Sequence, residues 1–404
     1  MARSRLRDVL LGRTLAYYLL FGCLGLGLGI IGPTLTALGA QTQTPSAHLG
    51  LVFLAGSLGY TGGTVLGGRL FDRWRGHPLL GAAQVAAGAG LALIPIVPWL
   101  WLLMLVLFLK GLADGIINTG TNTLLVWTHT ARLGPYMNGL HFAFGVGAFV
   151  SPLLVALFAG QADGYRWAFW VLAAACGLVG LRLLALPAQS QPVRPPDNPR
   201  HAAGGGPVPM ALIAAAGLLL FFYVGAEVSF SGWLYTYAVQ LNLAGAAEAA
   251  YLTSGFWLAF TFGRLLSIPL AVHFRPQSVI LAGLLACVVL LGGLSLIPGS
   301  TVVLWVVSLG LGFWLGPIWP AGFTLASQSV NLTARLSGFI LLGDSAGGIF
   351  LPAVAGLVVQ RAGPAAIVWL VLGSVVCDLA ALAGLLWYRR LPGGPTRAGA
   401  AAVS

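Results

Sequence analysis

The chain has 404 residues, of which 58% are apolar and only 7% are charged. Because soluble domains carry about a quarter charged residues, this chain has too little charge to cover a surface that faces water. The composition excludes a cytosolic enzyme. It also excludes a nucleic-acid-binding protein, although the formal net charge is +11. The class that remains is an integral membrane protein, with the lipid bilayer as its surroundings.

Twelve segments are long and apolar enough to cross a bilayer, which takes about 20 residues per helix. They are residues 14–40, 49–71, 78–98, 99–127, 137–160, 166–187, 209–240, 248–271, 277–297, 301–328, 336–361 and 365–388. The first segment is too long for a cleaved signal peptide, so we count it as a membrane span. The sequence therefore predicts an all-α membrane protein with twelve transmembrane helices.

The longest connection between predicted spans is residues 188–208, after the sixth span. It is rich in Pro, Gln and Gly, a composition typical of a flexible linker. We therefore predict an N-terminal six-helix bundle over 1–187 and a cytoplasmic linker over 188–208. A C-terminal six-helix bundle with a short cytoplasmic tail then takes up 209–404.

The basic residues indicate the orientation. If the N-terminus is cytoplasmic, seventeen of the twenty Lys and Arg residues lie in or beside cytoplasmic segments, and Arg264 is counted among them. Only Arg166 and Arg361 fall on the outer side. Basic residues favour the cytoplasmic side of a membrane protein. We therefore expect a multi-pass protein of the cell (inner) membrane with both termini in the cytoplasm.

Two short sequences recur at matching places in the two halves. The sequence TARL before the fifth span, residues 130–133, recurs before the eleventh span, residues 333–336. Gly-Arg-Leu occurs at 68–70 in the second span and at 263–265 in the eighth. The pattern indicates an internal duplication, which is common among transporters.

The loop after the second span reads GRLFDRWRGH over residues 68–77. It resembles the loop signature of the major facilitator superfamily, Gly-x-Leu-x-Asp-Arg, although Gly76 comes one residue late. An acid at this helix end can pair with an arginine in one conformation and release it in another. Asp72 and Arg73 are therefore candidate gating residues. The resemblance implies the major facilitator fold, in which two six-helix bundles enclose a central cavity and give alternating access to it.

Two longer stretches carry a narrower resemblance. They read GPYMNGLHFAFGVGAF over 134–149 and GAEVSFSGWLYTYAV over 225–239, the latter followed by EAAYL at 248–252 and FGRLLSIP at 262–269. They resemble the sodium-dependent glucose transporter group of this superfamily and, more distantly, the fucose:proton symporters. The resemblance implies transport of a hexose-like solute together with a cation, and it makes Trp233 a candidate substrate-binding residue.

Ionisable side chains within a bilayer are costly and usually functional. The resemblance places Asp114 of the fourth span and Glu227 of the seventh on helices that line the cavity. Lys110 and Asp114 are four residues apart and share a helix face, so they form either a coupling pair or an ion pair that only stabilises the helix. Glu227 has no basic residue nearby in the sequence, which favours it as the coupling acid. We also expect the helix to loosen over the polar, aromatic run 229–237.

His141 and Asp344 occupy equivalent positions in the two halves, because they are separated by 203 residues, the offset of the TARL repeat. This symmetry suits a cytoplasmic gate, and a core histidine that only packs is an equal alternative. Both residues are candidate gating residues.

Polar and aromatic residues of the fourth, seventh and tenth spans suit a sugar. Amides and carboxylates bind hydroxyl groups, aromatic rings pack against C–H surfaces, and a few placed polar groups give an apolar cavity its specificity. The predicted substrate-binding residues are Asn118, Asn122, Glu227, Trp233 and Trp319. The glucose transporter group has an acid where Asn118 stands, so Na⁺ and H⁺ both remain open as the coupling ion.

Other functional classes fit the sequence less well. A drug or lipid exporter of the same fold would need a more apolar cavity, whereas an uncoupled facilitator remains open. The sequence has no Walker-type phosphate loop and no HExxH motif. We therefore expect no enzyme activity, no catalytic residue, no metal site and no cofactor beyond a transported cation. A small polar solute is the expected partner, and we expect a monomer.

Overall fold

The computed structural model describes residues 2–71, 76–129, 133–185, 210–329 and 334–390. Within these ranges the regular structure is entirely helical. Twelve helical segments are long and apolar enough to cross a membrane, which confirms the predicted all-α membrane fold. The predicted linker 188–208 and the gating candidates Asp72 and Arg73 lie outside the described residues.

Fourteen α-helices make up the twelve spans in the described ranges. They are α1 (Ala2–Gly29), α2 (Ile31–Gln41), α3 (Ser46–Phe71), α4 (Gly76–Leu93), α5 (Leu100–Thr128), α6 (Leu133–Phe158), α7 (Gly164–Leu184), α8 (Met210–Gln240), α9 (Ala246–His273), α10 (Pro276–Leu296), α11 (Thr301–Leu315), α12 (Ile318–Ser329), α13 (Ala334–Ala362) and α14 (Ala366–Arg390). The first span consists of α1 and α2, and the tenth consists of α11 and α12.

Proline explains both interrupted spans. A proline ring clashes with the carbonyl four residues earlier and has no N–H to donate. Pro33 lies four residues after Gly29, where α1 ends, and Pro320 lies four residues after Gly316, in the gap between α11 and α12. Pro317 occupies the second residue of that gap. The first and tenth spans are therefore broken in their interior.

The same helix pairs recur in the two halves. The first and fifth spans pack together as α1 on α6, and the seventh and eleventh do so as α8 on α13. The second span packs on the fourth (α3 on α5), as the eighth packs on the tenth (α9 on α11), and α4 on α7 matches α10 on α14. Close approach relies on small residues: a Cβ on Gly59 or Gly63 of α3 would overlap the backbone of α5. These contacts match the duplication that the sequence indicates.

The two halves touch on one side of the predicted membrane. We call the side with the N-terminal end of α1 and the start of α8 the linker side, and the opposite side the far side. On the far side, a Cβ added to Gly50 of α3 would lie 2.6 Å from the carbonyl oxygen of Ala353 in α13. A Cβ on Gly32 of α2 would lie 2.9 Å from the carbonyl oxygen of Ser231 in α8. The halves are thus packed backbone to backbone on the far side.

One local expectation is wrong. Helix α8 continues without a break from Met210 to Gln240, so the run 229–237 does not loosen. Its side chains are mostly buried against neighbouring helices, which holds the stretch helical. The interruptions occur instead at the prolines of the first and tenth spans.

Candidate functional site

A cavity of about 250 Å³ lies between the two halves, in the linker-side part of the protein. It is formed by α6 of the first half and by α9 and α12 of the second. Its polar lining consists of Asn138, His141, Thr261, Arg264, Ser267 and Trp319. Its apolar lining consists of Met137, Phe142, Phe144, Gly145, Phe260, Leu265, Ile268 and Pro320. We call it the linker-side cavity.

Arg264 is the charged residue of this lining, and its position corrects the sequence analysis. The sequence rule counted it with the arginines of cytoplasmic segments. In the structure it lies inside α9, nine residues before the helix ends at His273, a separation of about two and a half turns. Its guanidinium carbon lies 4.7 Å from the centre of the Phe260 ring, one turn earlier on the same helix. The arginine therefore belongs to the interior of the protein.

Several ionisable side chains surround Arg264. The charge of Arg264 acts on Glu227 and Tyr223 of α8 and on Asp344 of α13. It also acts on His141 of α6. We call Tyr223, Glu227, Arg264, Trp319 and Asp344 the Arg264 cluster. Glu227 has no basic residue nearby in the sequence, and the structure supplies a basic neighbour, Arg264, from another helix.

Trp319 joins the cluster to the cavity. Its indole Nε1 donates a hydrogen bond of 2.7 Å to Oδ1 of Asp344, and its ring stacks on Phe323 with centroids 5.6 Å apart and planes 2° apart. The break between α11 and α12 positions this tryptophan, because α12 begins one residue before it. Trp319 therefore lines the cavity and holds an acid at the same time.

The cluster has more acid than base. Glu227 and Asp344 both interact with the single guanidinium of Arg264, yet neither forms a salt bridge with it in the described part of the chain, where the ion pairs are Lys110–Asp114 and Asp163–Arg166. A carboxylate within a membrane protein needs a countercharge or a proton. The geometry therefore leaves one acid able to take a cation or a proton.

Lys110 and Asp114 form the ion pair that the spacing predicts. Nζ lies 2.5 Å from Oδ2 of Asp114, and the lysine side chain is 7% exposed. Nζ lies 2.7 Å from where a Cβ on Gly27 of α1 would be, and the stem lies against Gly90 of α4. The lysine is thus enclosed between three helices of the first half, which fits a stabilising role as well as a coupling one.

Tyr60 of α3 connects this pair with the Arg264 cluster. It is 38% exposed, and both Asp114 of the first half and Asp344 of the second act on it electrostatically. The hydroxyl of Tyr60 is therefore acted on by one acid from each half.

The amides of the fourth span lie outside the lining of the linker-side cavity. Nδ2 of Asn122 donates to the backbone carbonyl of Asn118 at 2.8 Å and lies 3.3 Å from its Oδ1. Both side chains are half-buried. The structure therefore joins the two predicted amides to each other and does not bring them to Trp319 in the cavity lining.

Trp233 lies in the far-side contact. It is fully buried, its Nε1 donates to the carbonyl of Pro352 at 3.2 Å, and its ring lies 6.4 Å from that of Phe53. It joins α8 to α13 and α3, so in this conformation it presents no surface to a solute.

The two symmetry-related gating candidates approach the same residue. His141 of the first half lines the cavity, where the charge of Arg264 acts on it. Asp344, in the same half as Arg264, also interacts with that charge. Their symmetric positions in the sequence suggested a gate but did not predict that both would interact with one arginine, and the gate itself stays a prediction. Arg264 and Tyr60 themselves were missed, and the signal that could have found Arg264 was its place within the predicted span 248–271. No group of three or more His, Cys, Asp and Glu side chains that could hold a metal occurs among the described residues.

Comparisons with known proteins give relatives of the same architecture. The chain is similar to the Sodium-dependent glucose transporter 1A of Mus musculus, with 29% identity over 377 residues, covering 84% of this chain and 88% of the relative. It is also similar to the Major facilitator superfamily domain-containing protein 4A of Homo sapiens, with 26% identity, covering 87% of each chain. Among solved structures, a D-xylose-proton symporter superposes with a TM-score of 0.76 at 14% identity, covering 92% of this chain and 96% of the symporter.

The structural likeness shows the fold, and the family follows from the sequence. A family model described as Major Facilitator Superfamily matches residues 17–343, which is most of the chain. The predicted duplication, the twelve spans and the cavity between the halves agree with this match. The chain belongs to the Major Facilitator Superfamily.

Proposed function

We propose that this protein is a secondary active transporter that moves a hexose-like or other small polar solute by alternating access, coupled to Na⁺ or H⁺. The observation that carries the proposal is the Arg264 cluster, where two carboxylates share one guanidinium beside a cavity between the halves. An acid that takes up a cation with the solute can couple the two movements. The relatives named sodium-dependent glucose transporters support a sugar-like solute and a cation.

Glu227 is the proposed coupling acid. Asp344 already accepts a hydrogen bond from Trp319, which stabilises its charged form. Asp114 has Lys110 beside it. Glu227 interacts with the hydroxyl of Tyr223 and with the charge of Arg264, and it forms no salt bridge in the described ranges. A bound cation or proton therefore stabilises Glu227 more than it stabilises Asp344 or Asp114.

The solute is proposed to bind beside Trp319, with Glu227 taking a hydroxyl group. Asn118 and Asn122 lie outside the cavity lining in this conformation, and they are proposed to take hydroxyl groups in another conformation of the transport cycle. Trp233 contributes only in a conformation that opens the far-side contact. Gating by Asp72, Arg73, His141 and Asp344 belongs to the same cycle. We propose that the protein works as a monomer in the cell membrane, with no cofactor other than the transported cation.

An exporter of amphipathic drugs or lipids is the second candidate. The apolar wall of the linker-side cavity favours it, because Met137, Phe142, Leu265 and Ile268 all line that cavity. A ligand panel distinguishes the two. Thermal unfolding of the purified protein is measured with D-glucose, D-xylose, uridine and a cationic amphipathic drug, in NaCl or choline chloride, at two pH values. Stabilisation by bound ligand follows mass action, and stabilisation by the drug alone would favour the exporter.

The coupling assignment is tested in proteoliposomes. Glu227→Gln is expected to lose accumulation driven by a cation gradient and to keep solute exchange, because the neutral amide can hold the solute but takes no cation. The matched control is Glu248→Gln, an exposed acid at the far-side end of α9. Accumulation by Glu227→Gln equal to that of the unmodified protein would refute the assignment.

Asn122→Leu tests the solute site. It is expected to weaken solute binding about five- to 150-fold with the fold intact, because a solute hydroxyl left without its partner costs about 1–3 kcal/mol. Unchanged binding of the sugar by this variant would remove the fourth span from the site.

The proposed orientation has its own experiment. A cysteine at Gln43 should react with a membrane-impermeant reagent added outside intact cells, and a cysteine at Pro195 should react only after the cells are opened. The reverse pattern would overturn the cytoplasmic placement of the termini.

A further inference from the structure

We propose that Arg264 determines specificity in the linker-side cavity: it binds hydroxyl oxygens of the solute and, in doing so, withdraws from Glu227. This inference rests on the proposed function, since it assumes that a polar solute enters this cavity. It adds a binding residue and an order of events that the sequence analysis does not contain.

Arg264 has hydrogen bonds left to give. Its Nε is buried and has no acceptor among the described residues, although the hydroxyl of Tyr223 interacts with the guanidinium. None of its nitrogens forms a salt bridge with a described acid. Arginine carries five N–H donors in a fixed, planar arrangement, and a buried donor without a partner is costly. The ring of Phe260 lies 4.7 Å from the guanidinium carbon and stabilises its charge by a cation–π contact. An aromatic ring provides no hydrogen-bond acceptor for the N–H groups in the guanidinium plane. A ligand with several oxygens would supply acceptors for these N–H groups.

The cavity places such a ligand within reach. Thr261, one turn before Arg264 on α9, lines the same cavity, as do Asn138 and Trp319. The N–H of Trp319 is occupied by Asp344, so the indole offers only its ring. An array of donors beside an aromatic ring suits a polyol, which has hydroxyl oxygens around an apolar C–H surface.

Binding at Arg264 changes the charge balance of its neighbours. The groups that act on it are Tyr223 and Glu227 of α8, Asp344 of α13 and His141 of α6. Asp344 keeps its hydrogen bond from Trp319 when the guanidinium turns to the solute. Glu227 loses its nearest cation and then takes up Na⁺ or a proton. Solute and coupling cation therefore favour each other's binding, and this linkage is reciprocal.

The test measures the affinity for solute and its dependence on the cation in matched variants. Binding of D-glucose, D-xylose and uridine to the purified full chain is titrated at high and low Na⁺ and at two pH values. Arg264→Gln removes the charge and most of the donors, whereas Arg264→Lys keeps the charge and loses the planar arrangement. The control is Arg69→Gln, which lies in the repeated Gly-Arg-Leu sequence of α3 and is exposed.

Arg264→Gln is expected to raise the Kd of the bound sugar about ten- to a hundredfold, the loss of a hydrogen bond from a charged donor. It should also abolish the cation dependence of the Kd, because Glu227 takes its cation with or without solute when no arginine competes. Arg264→Lys should weaken binding and keep the cation dependence. Arg69→Gln should match the unmodified protein.

Each of three results would overturn all or part of this scheme. If the unmodified protein binds none of the three solutes, the proposed function fails and this inference fails with it. If the unmodified protein binds a sugar and Arg264→Gln binds it with the same Kd and the same cation dependence, only the role of Arg264 is refuted. If Arg264→Gln does not fold, an unchanged Kd in Arg264→Lys refutes the role.

Discussion

Lys110, the single lysine of the chain, shows how tightly a charge can be enclosed within this protein. Its ammonium group has Asp114 at 2.5 Å and the backbone of α1 on its other side, where Gly27 leaves just enough room. Removing one partner from a buried pair leaves the other charge uncompensated. The pair is therefore expected to matter for folding as well as for transport.

A double-mutant cycle tests this expectation. Lys110→Met and Asp114→Asn should each destabilise the protein by about 3–5 kcal/mol, and the double variant should lose much less than the sum of the two. Unfolding in detergent gives the three values. Additive losses would show that the two charges do not depend on each other.

His129 lies at the linker-side end of α5, just beyond the fourth span. Its Nε2 lies 2.6 Å from Oγ1 of Thr14, and its ring stacks on Tyr136 with centroids 3.5 Å apart. Partial burial lowers the pKa of His129 from its ordinary value of 6.5, because the charged ring is poorly solvated there. This histidine ties the ends of three spans of the first half together in its neutral form.

This shift predicts a pH dependence of stability. The folded pKa is depressed, so the unfolded chain binds the proton more readily, and the contribution of His129, fully present above pH 6.5, is lost as the pH falls through the folded pKa. The melting temperature should fall on acidification below pH 6.5, and His129→Asn should reduce that fall. An identical pH profile in the variant would assign the effect to other groups.

At the scale of elements, the interrupted tenth span is the feature that links sequence to site. Pro317 and Pro320 end one helix and begin another around Gly316, and Trp319 stands between the two prolines with its N–H on Asp344. A proline inside a helix costs about 3 kcal/mol. Despite this cost the span is broken, and the break positions Trp319 in the lining of the linker-side cavity.

Replacing Pro317 and Pro320 together with alanine is expected to straighten this span and raise the melting temperature. Transport should fall at least about tenfold, because Trp319 turns away from Asp344, and tenfold corresponds to only about 1.4 kcal/mol. Pro269→Ala in the uninterrupted helix α9 is the control. Full transport by the double variant would show that the break has no functional role.

At the scale of the whole molecule, the contact between the halves defines the conformation. The far side is packed through Gly50 with Ala353 and through Gly32 with Ser231, while the cavity lies toward the linker side. Alternating access requires these far-side contacts to separate. Glycine is required at Gly50 because a side chain there would meet backbone, which cannot move aside without moving α13.

Gly50→Val should therefore shift the protein away from the conformation described above. A cysteine introduced at Ser231, which is buried, reports on this in a background where the exposed Cys377 is replaced by serine. Its reaction with a reagent added on the far side should rise at least about tenfold in Gly50→Val, a shift of about 1.4 kcal/mol in the equilibrium. Gly62→Val, with open space at its Cβ position in the same helix, should leave the rate unchanged. Equal rates in both variants would show that Gly50 does not control closure.

Local features of this protein follow from its sequence alone. The eighth span, predicted over 248–271, is the helix Ala246–His273, because an apolar run long enough to cross a bilayer is a property of consecutive residues. The pairing of Lys110 with Asp114 follows from their spacing of four residues in one helix. The family also follows from sequence, because the family model matches residues 17–343.

Tertiary structure alone decided which distant side chains meet. Arg264 and Glu227 are on different helices, and the sequence rule that counts basic residues near span ends assigned Arg264 to the cytoplasmic side. Trp233 stands in a stretch typical of a binding site, yet it is sealed in the contact with Pro352. The depth and rotation of each helix in the bundle set these neighbours. Both depend on packing against several other helices at once, so the pattern within one helix does not contain them.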